Sequence, residues 1–427
     1  MLRRTTLPAK PSFGSRLEGI EGLRALAAGS VLVSHAWLYS SPDGKAVDVG
    51  PLTRFLPDLS FGVVLFFTLS GFLLYRPFAA AVLRGKPLPS PRKYLRNRAL
   101  RILPAYWVIL LVCALVLQSV LLRSSGKLET GGLFDPALLL WTALLAQDYT
   151  PQTLLVGIGP AWSLAVEVVF YLVLPLLALM AWALARKATT RSGRRLAVLT
   201  PVALMLVIGL SGKAAAAYLV PPTYSFEGWD ANWHSVIERS FWCHADLFAF
   251  GMALSILRVD AEDRLLHLPV WWPRIAAALA LFGYLITAKL TGAAEPLSYS
   301  PYNTVIALCC ALLVALVVMP RERQRRGFLL RLLESRVLVA TGTISYSIFL
   351  WHEPLVRWLK VHGLVLSGPG GFVANTLVLA VITVVLSALT YRYVEAPALR
   401  LKFKGRTPRG SDEPSRTEVQ VVPTTLS

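Results

Sequence analysis

Charged residues are in short supply. Asp, Glu, Lys and Arg make up 16% of the 427 residues, against about 25% in an ordinary soluble domain, so the chain lacks the polar groups to cover a water-facing surface of that size. Cysteine is scarce as well: four residues cannot build a dense disulfide framework, and no pair has the spacing of a structural zinc site. Acid is scarcer than base, 24 Asp and Glu against 43 Lys and Arg, for a formal net charge of +19. A basic excess of that size would suit a nucleic-acid binder, but these residues sit between long apolar runs and not on a polar domain, which excludes nucleic acid as a partner. What is abundant is apolar: 55% hydrophobic residues and a mean hydropathy of +0.57. Disordered, collagenous and small secreted classes fall away, and a polytopic helical membrane protein remains.

Near-continuous apolar segments fall at about 23–39, 61–82, 102–122, 161–183, 196–217, 241–257, 271–289, 302–319, 337–359 and 371–391. Most approach the roughly 20 residues that carry a helix across the hydrocarbon layer. The fold class expected is therefore an all-α bundle of about ten transmembrane helices, with the short run Ala137–Ala146 read as interfacial or re-entrant. Charge placement checks the count. With a cytoplasmic N-terminus, 31 Lys and Arg fall on the cytoplasmic side and 8 on the other, and the remaining four, Arg24, Arg76, Arg274 and Arg357, lie within or at the ends of spans. The positive-inside rule then puts both termini in the cytoplasm. Residues 1–17 read as a basic leader without the apolar core of a cleaved signal, 18–400 as one membrane-embedded domain, and 401–427 as a disordered tail. No internal repeat is evident, which counts against transporters built from inverted repeats.

Ionisable side chains inside such a bundle are costly and mark function. Arg24 and His35 share a face of the first span, eleven residues or roughly 16 Å apart. The alternative is that Arg24 only snorkels and His35 only bonds a neighbouring helix. In the second span, Phe66 to Phe72 set small residues between aromatics, as helix packing alone would require, and Arg76 needs an anionic partner or a wet cavity. Arg98 and Arg101 stand three apart just before the third span, where two guanidiniums can clamp phosphates, bind anionic lipid headgroups, or simply enforce topology. Glu167 follows Trp162 and Ser163 at the start of the fourth span and is committed to the interior. His244 and Asp246 lie near the outer end of the sixth, and Ser345 and His352 share a face of the ninth. Orientation sorts these into two storeys, with His35, Glu167 and His352 on the extracytoplasmic side and Arg76, Arg98 and Arg101 near the cytoplasmic face.

The chain resembles the membrane acyltransferase family known as acyltransferase 3, over about residues 18 to 400. Arg24 with His35, the Phe66–Phe72 stretch, Arg98 with Arg101 and Pro104, Trp162-Ser163-Leu164 with Glu167, Ser345-Tyr346 with His352, and Glu395-Ala396-Pro397 carry the resemblance through their order. It implies a bacterial cytoplasmic-membrane enzyme with an acyl-CoA donor, often acetyl-CoA, and an acceptor such as a glycan or macrolide modified on the outer side. It marks His35 as the essential histidine. Some members carry a C-terminal extracytoplasmic esterase-like domain; here only a short tail follows residue 391, so the membrane part is expected to act alone or with a separate extracytoplasmic protein.

An alcohol attacks a thioester only with a base within reach of its proton, and imidazole has the right intrinsic pKa. His35 is the expected base, with Glu167 as its orienter; the alternative within the same chemistry is an acyl-histidine relay. Arg24, Arg76, Arg98 and Arg101 are the candidates for the CoA phosphates. Ser70, Trp162, Ser163, Tyr346 and His352 are candidates for lining the cavity or donating to the oxyanion. No metal is expected, since no His, Cys and carboxylate cluster has ligand spacing. The aromatic residues Tyr39, Trp141, Tyr149, Tyr224, Trp229, Trp233 and Trp242, on or beside the outer loops, suit a sugar face or an interfacial belt. A secondary transporter or a non-catalytic lipid- or glycan-binding protein is the rival reading.

Overall fold

The computed structural model describes residues 17–40, 47–124, 126–218, 229–290, 302–320 and 327–402. Of the expected leader and tail, only Leu17, Leu401 and Lys402 are among them. In chain order the helices are α1 (Ile20–Tyr39), α2 (Gly62–Leu83), α3 (Pro91–Leu111), α4 (Pro136–Ala143), α5 (Ala161–Ala185), α6 (Arg191–Tyr218), α7 (Trp233–Glu238) and α8 (Phe241–Glu262). They continue as α9 (Trp272–Leu290), α10 (Tyr302–Val318), α11 (Phe328–Leu333), α12 (Arg336–Thr343), α13 (Ser345–Val361), α14 (Gly368–Thr390) and α15 (Ala396–Arg400). Among the described residues, six helical stretches are long and apolar enough to cross a membrane: Gly50–Leu83, Pro91–Val116, Ala161–Ala185, Arg191–Tyr218, Trp233–Glu262 and Gly368–Arg400. Two shorter apolar helices, Trp272–Leu285 and Tyr302–Val318, accompany them. The protein is a mostly helical, polytopic membrane protein.

Three local features depart from expectation. The third apolar helix starts at Pro91, with Ser90 accepting from the Lys93 N–H, so Arg98 and Arg101 stand on the helix and not in a loop before it. It ends in a π-helical turn, Val112–Val116, and the chain then forms an antiparallel hairpin, β1 (Val120–Ser124) with β2 (Lys127–Gly131), so the fold is not purely α. The run expected at 337–359 is two helices, α12 and α13, broken at Ile344. Gly342 there lies so close to α1 that a Cβ would fall 1.9 Å from the Glu21 carbonyl oxygen.

Small residues bring α2 and α8 together. A Cβ on Gly71 would meet the Phe248 carbonyl oxygen at 2.2 Å, and one on Gly251 would meet that of Thr68 at 2.0 Å. Such contact between backbones maximises van der Waals packing where no hydrophobic force acts between helices in lipid.

The two ends of the bundle are tied separately. At one end Arg84 pairs with Asp263 at 2.9 Å and Arg191 with both Asp260 and Asp263 at 2.9 Å, joining α2, α6 and α8. The Gly19 N–H bonds Glu334, Arg258 bonds the Val318 carbonyl, and Arg96 bonds that of Leu401 at the same end. At the other end Tyr284 donates to Asp58 at 2.7 Å, Arg357 bonds Tyr39 and Thr130, and Arg123 bonds the Leu154 and Trp229 carbonyls.

Candidate active site

Two cavities lie one above the other between these ends. The first, of about 120 Å³, is lined by Arg24, Arg98, Arg101, Glu167, Ser70, Ser163, Tyr171 and Tyr346. The second, of about 270 Å³, is lined by His35, Trp162, Trp229, Arg239, His244, Asn303 and Glu353. Val63, Phe67 and Phe349 line both. Single helices connect them: α1 presents Arg24 to the first and His35 to the second, α13 presents Tyr346 to the first and Glu353 to the second, and α2 presents Ser70 to the first and Val64 to the second. Since α1 is unbroken from Ile20 to Tyr39, the eleven residues from Arg24 to His35 rise roughly 16 Å.

The histidine cavity is built on a pair of imidazoles. His352 is fully buried, and its Nδ1 lies 3.1 Å from the Ile348 carbonyl oxygen, which only accepts. In the neutral ring that nitrogen therefore carries the proton and Nε2 the lone pair. His35 Nδ1 lies 3.1 Å from this Nε2 and 3.0 Å from the Val31 carbonyl oxygen, two acceptors, so it is the donor. The lone pair of neutral His35 is thus on Nε2, the form a general base needs. Beside the pair, Tyr39 donates to Glu353 at 3.3 Å, and Arg357 bonds both.

Glu167 is not in this group. Ser70 donates to it, and it lines the arginine cavity with Arg24; the carboxylate lining the cavity of His35 is Glu353. The expected pairing of Glu167 with His35 is corrected by the way α5 begins. The segment before it folds inward, with Leu154, Val156 and Ile158 at most 1% exposed, so the helix starts inside the bundle. Trp162, in its first turn, lines the histidine cavity, and Glu167 lies more than a turn deeper.

Arg76, expected with the other arginines, instead has an anionic partner. It pairs with Glu262 on α8 and does not line the arginine cavity. Arg101 is held 3.2 Å from Glu395, whose other oxygen accepts from Ser347 at 2.6 Å, so the Glu395-Ala396-Pro397 segment anchors a cavity arginine. Lys402, assigned from sequence to the tail, lies close enough to Arg98 and Arg101 that burial and their charges pull its ammonium down to about 8. Ser163 donates to the Pro160 carbonyl at 2.9 Å and Tyr346 to that of Ile102 at 2.9 Å, bonds that hold the wall.

Sequence reasoning missed Arg239. Its guanidinium lies 5.0 Å over the Trp162 ring and 5.0 Å over that of Trp229, two indoles facing one cation. Only a residue from another helix could have signalled this, and spacing within one segment carries no such information. Of the outer-loop aromatics, Trp229 lines the cavity and Tyr39 touches Glu353, whereas Trp141, Tyr149, Trp233 and Trp242 are partly exposed and line neither cavity; Tyr224 lies outside the described residues. Among the described residues no group of three His, Cys, Asp or Glu is placed to hold a metal ion.

Comparison with known proteins fits this layout. Residues 17–392 match the Acyl_transf_3 family, described as an acyltransferase domain. The chain is 27% identical to the acyltransferase MdmB of Streptomyces mycarofaciens, over 94% of this chain and 97% of that protein. It is also 27% identical to nodulation protein 10 of Rhizobium leguminosarum, over 92% of this chain and 96% of that one. With the O-acetyltransferase OatA of Staphylococcus aureus it shares 21% identity, over 91% of this chain and 58% of OatA. No solved structure matches. With its polytopic helical fold and a family match spanning most of its length, the chain belongs to the Acyl_transf_3 family and is a bacterial multi-pass membrane acyltransferase.

Proposed function

We propose that this enzyme moves an acyl group, acetyl in the simplest case, from acyl-CoA to a hydroxyl of a glycan or glycosylated natural product. The observation that carries the reading is the pair of cavities, with arginines around one and a base-competent histidine in the other, that share Val63, Phe67 and Phe349 in their walls. Arg24, Arg98 and Arg101, with Lys402 beside them, hold the CoA phosphates as charge-assisted donors. The pantetheine arm, roughly 15–20 Å long, matches the rise from Arg24 to His35. The acceptor enters the histidine cavity, where Arg239, between the Trp162 and Trp229 rings, supplies donors and the two indoles supply aromatic edges for a polyhydroxylated ring. OatA, named as an O-acetyltransferase, supports the acetyl donor.

His35 Nε2 takes the hydroxyl proton as the oxygen bonds to the thioester carbon. The C–S bond breaks, and the CoA thiolate leaves with the proton returned by the imidazolium. His352 stabilises that imidazolium by accepting from its Nδ1–H. Glu167 acts at the other cavity, as counter-charge to Arg24 and partner of Ser70.

The reading includes ten crossings with both termini in the cytoplasm. The 31-to-8 division of Lys and Arg supports it, and so does the separate tying of the two ends, since every tie joins segments that the charge count puts on one side. The arginine cavity then opens to the cytoplasm and the histidine cavity to the outside.

The test is transfer of labelled acetyl from acetyl-CoA by protein held in nanodiscs, with envelope extract as the acceptor source. Wild type transfers label, and His35→Ala loses a factor of about 10²–10⁴, the usual worth of a general base. Equal transfer by the two proteins, both folded, removes His35 from the chemistry. Trapped label on His35 replaces direct attack with a relay. Substrate transport that persists in His35→Ala without CoA release favours a transporter.

A further inference from the structure

The three side chains common to both cavities have a consequence for the donor. Val63, Phe67 and Phe349 wall both cavities, so an acyl thioester reaching from the arginines to His35 would have to pass them and set its carbonyl beside them. Phe67 is 3% exposed and Phe349 8%. Neither ring is free to swing. Phe67 has ring neighbours at 4.9 Å in Phe248, 5.9 Å in His244 and 6.4 Å in Trp162. Behind it, Phe248 stacks on Phe170 at 4.1 Å. Phe349 sits edge-on to Phe66 at 5.7 Å and 5.8 Å from the His352 ring. Rings backed in this way yield only if their neighbours repack.

The acceptor hydroxyl must also lie against His35, so the acyl tail cannot spread freely into the histidine cavity. We propose that Val63, Phe67 and Phe349 set the size of the acyl group transferred. A two-carbon acyl group is accommodated, and each added methylene presses on a backed ring. The inference rests on the acyl-CoA reading above and deepens it by naming what selects the donor. One methylene in an apolar pocket is worth about 10- to 200-fold in kcat/KM.

The experiment follows CoA release from acetyl-, propionyl- and butyryl-CoA in the presence of envelope extract. It compares nanodisc-held wild type with Phe67→Ala, Phe349→Ala and the milder Phe67→Leu and Phe349→Leu. Wild type is expected to prefer acetyl over butyryl by at least about tenfold, and the alanine variants to shift that ratio toward butyryl by about tenfold or more. If the alanine variants fail to fold, the leucine variants carry the test through the acetyl-to-propionyl ratio. An unchanged ratio in folded variants, or equal use of acetyl and butyryl by wild type, overturns the inference. His35-dependent acetyl transfer with an unmoved ratio overturns it alone, whereas no CoA release from any donor overturns the acyl-CoA reading and this inference with it.

Discussion

His352 and Asp148 show what single side chains contribute beyond the expected base. His352 touches His35 through one hydrogen bond at 3.1 Å, while the Val31 carbonyl remains a second acceptor for the same Nδ1–H. Removing His352 therefore weakens the base without releasing it. His352→Ala is expected to lower kcat by about 10- to 100-fold, the worth of one hydrogen bond to a charged group, with KM for acyl-CoA little changed. A rise in donor KM with intact kcat would place His352 in donor binding instead. Asp148 lies in the segment before α5, 3% exposed, and accepts from the Leu155 N–H at 3.1 Å and from Gln147 at 2.9 Å. Burial pushes its carboxyl up to about 6 despite these donors and the charge of Arg239. Its native pKa exceeds the unfolded value near 3.9, so its contribution to stability is fully present below about pH 4, is lost as pH rises through about 6, and stays lost above. Asp148→Asn removes the ionisation. The variant is expected to melt a few degrees higher than wild type at pH 7.5, with the gap closing by pH 4, in thermal unfolding of detergent-held protein.

At the scale of elements, the long apolar helices were legible because hydrophobic length is a property of one segment. Pairings between segments were not. Glu167 does line an internal cavity, yet its partner depended on how far the segment before α5 folds inward, which no periodicity encodes. The break at Ile344 and the start of α3 at Pro91 escaped for a similar reason: apolar runs do not show where a helix turns against its neighbour, and basic residues ahead of a run read as loop. The small residues between aromatics in α2 did announce close packing, and Gly71 and Gly251 deliver it against α8. Gly251→Ala would drive a Cβ to 2.0 Å from the Thr68 carbonyl oxygen, so α2 must move, and with it Val63, Phe67 and Ser70. The expected cost is about 1–3 kcal/mol of stability, as for other overpacked sites, together with loss of transfer. Gly29→Ala, where a Cβ would meet nothing within 4 Å, is the control. It is expected to leave the melting temperature unchanged or slightly raised, because alanine favours helix over glycine. Equal behaviour of the two variants would remove the α2–α8 contact from the account of stability.

For the whole molecule, the proposed donor capture turns on how charge is distributed. At the end where Arg84, Arg191, Asp260 and Asp263 tie three helices, Arg76, Arg84, Arg191, Arg195 and Arg258 are paired with acid. Arg24, Arg98 and Arg101 instead converge on one cavity, and Arg101 is held by Glu395. Lys402, near Arg98 and Arg101 and drawn down to about 8 by burial and by their charge, is cationic below that pH and neutral above it. Acyl-CoA carries its phosphate charges throughout this range, so attraction to this mouth weakens as the lysine loses its proton. The apparent KM for acyl-CoA is therefore expected to rise severalfold between about pH 7 and 9 in wild type. In Lys402→Met it should start higher and stay nearly flat over the same interval. Arg98→Ala should raise KM at every pH while leaving the pH dependence in place, because guanidinium does not titrate there. Initial rates of CoA release at fixed acceptor, with acyl-CoA varied at each pH, read all three proteins. A KM that climbs equally in wild type and Lys402→Met would take Lys402 out of the donor site and leave capture to the arginines.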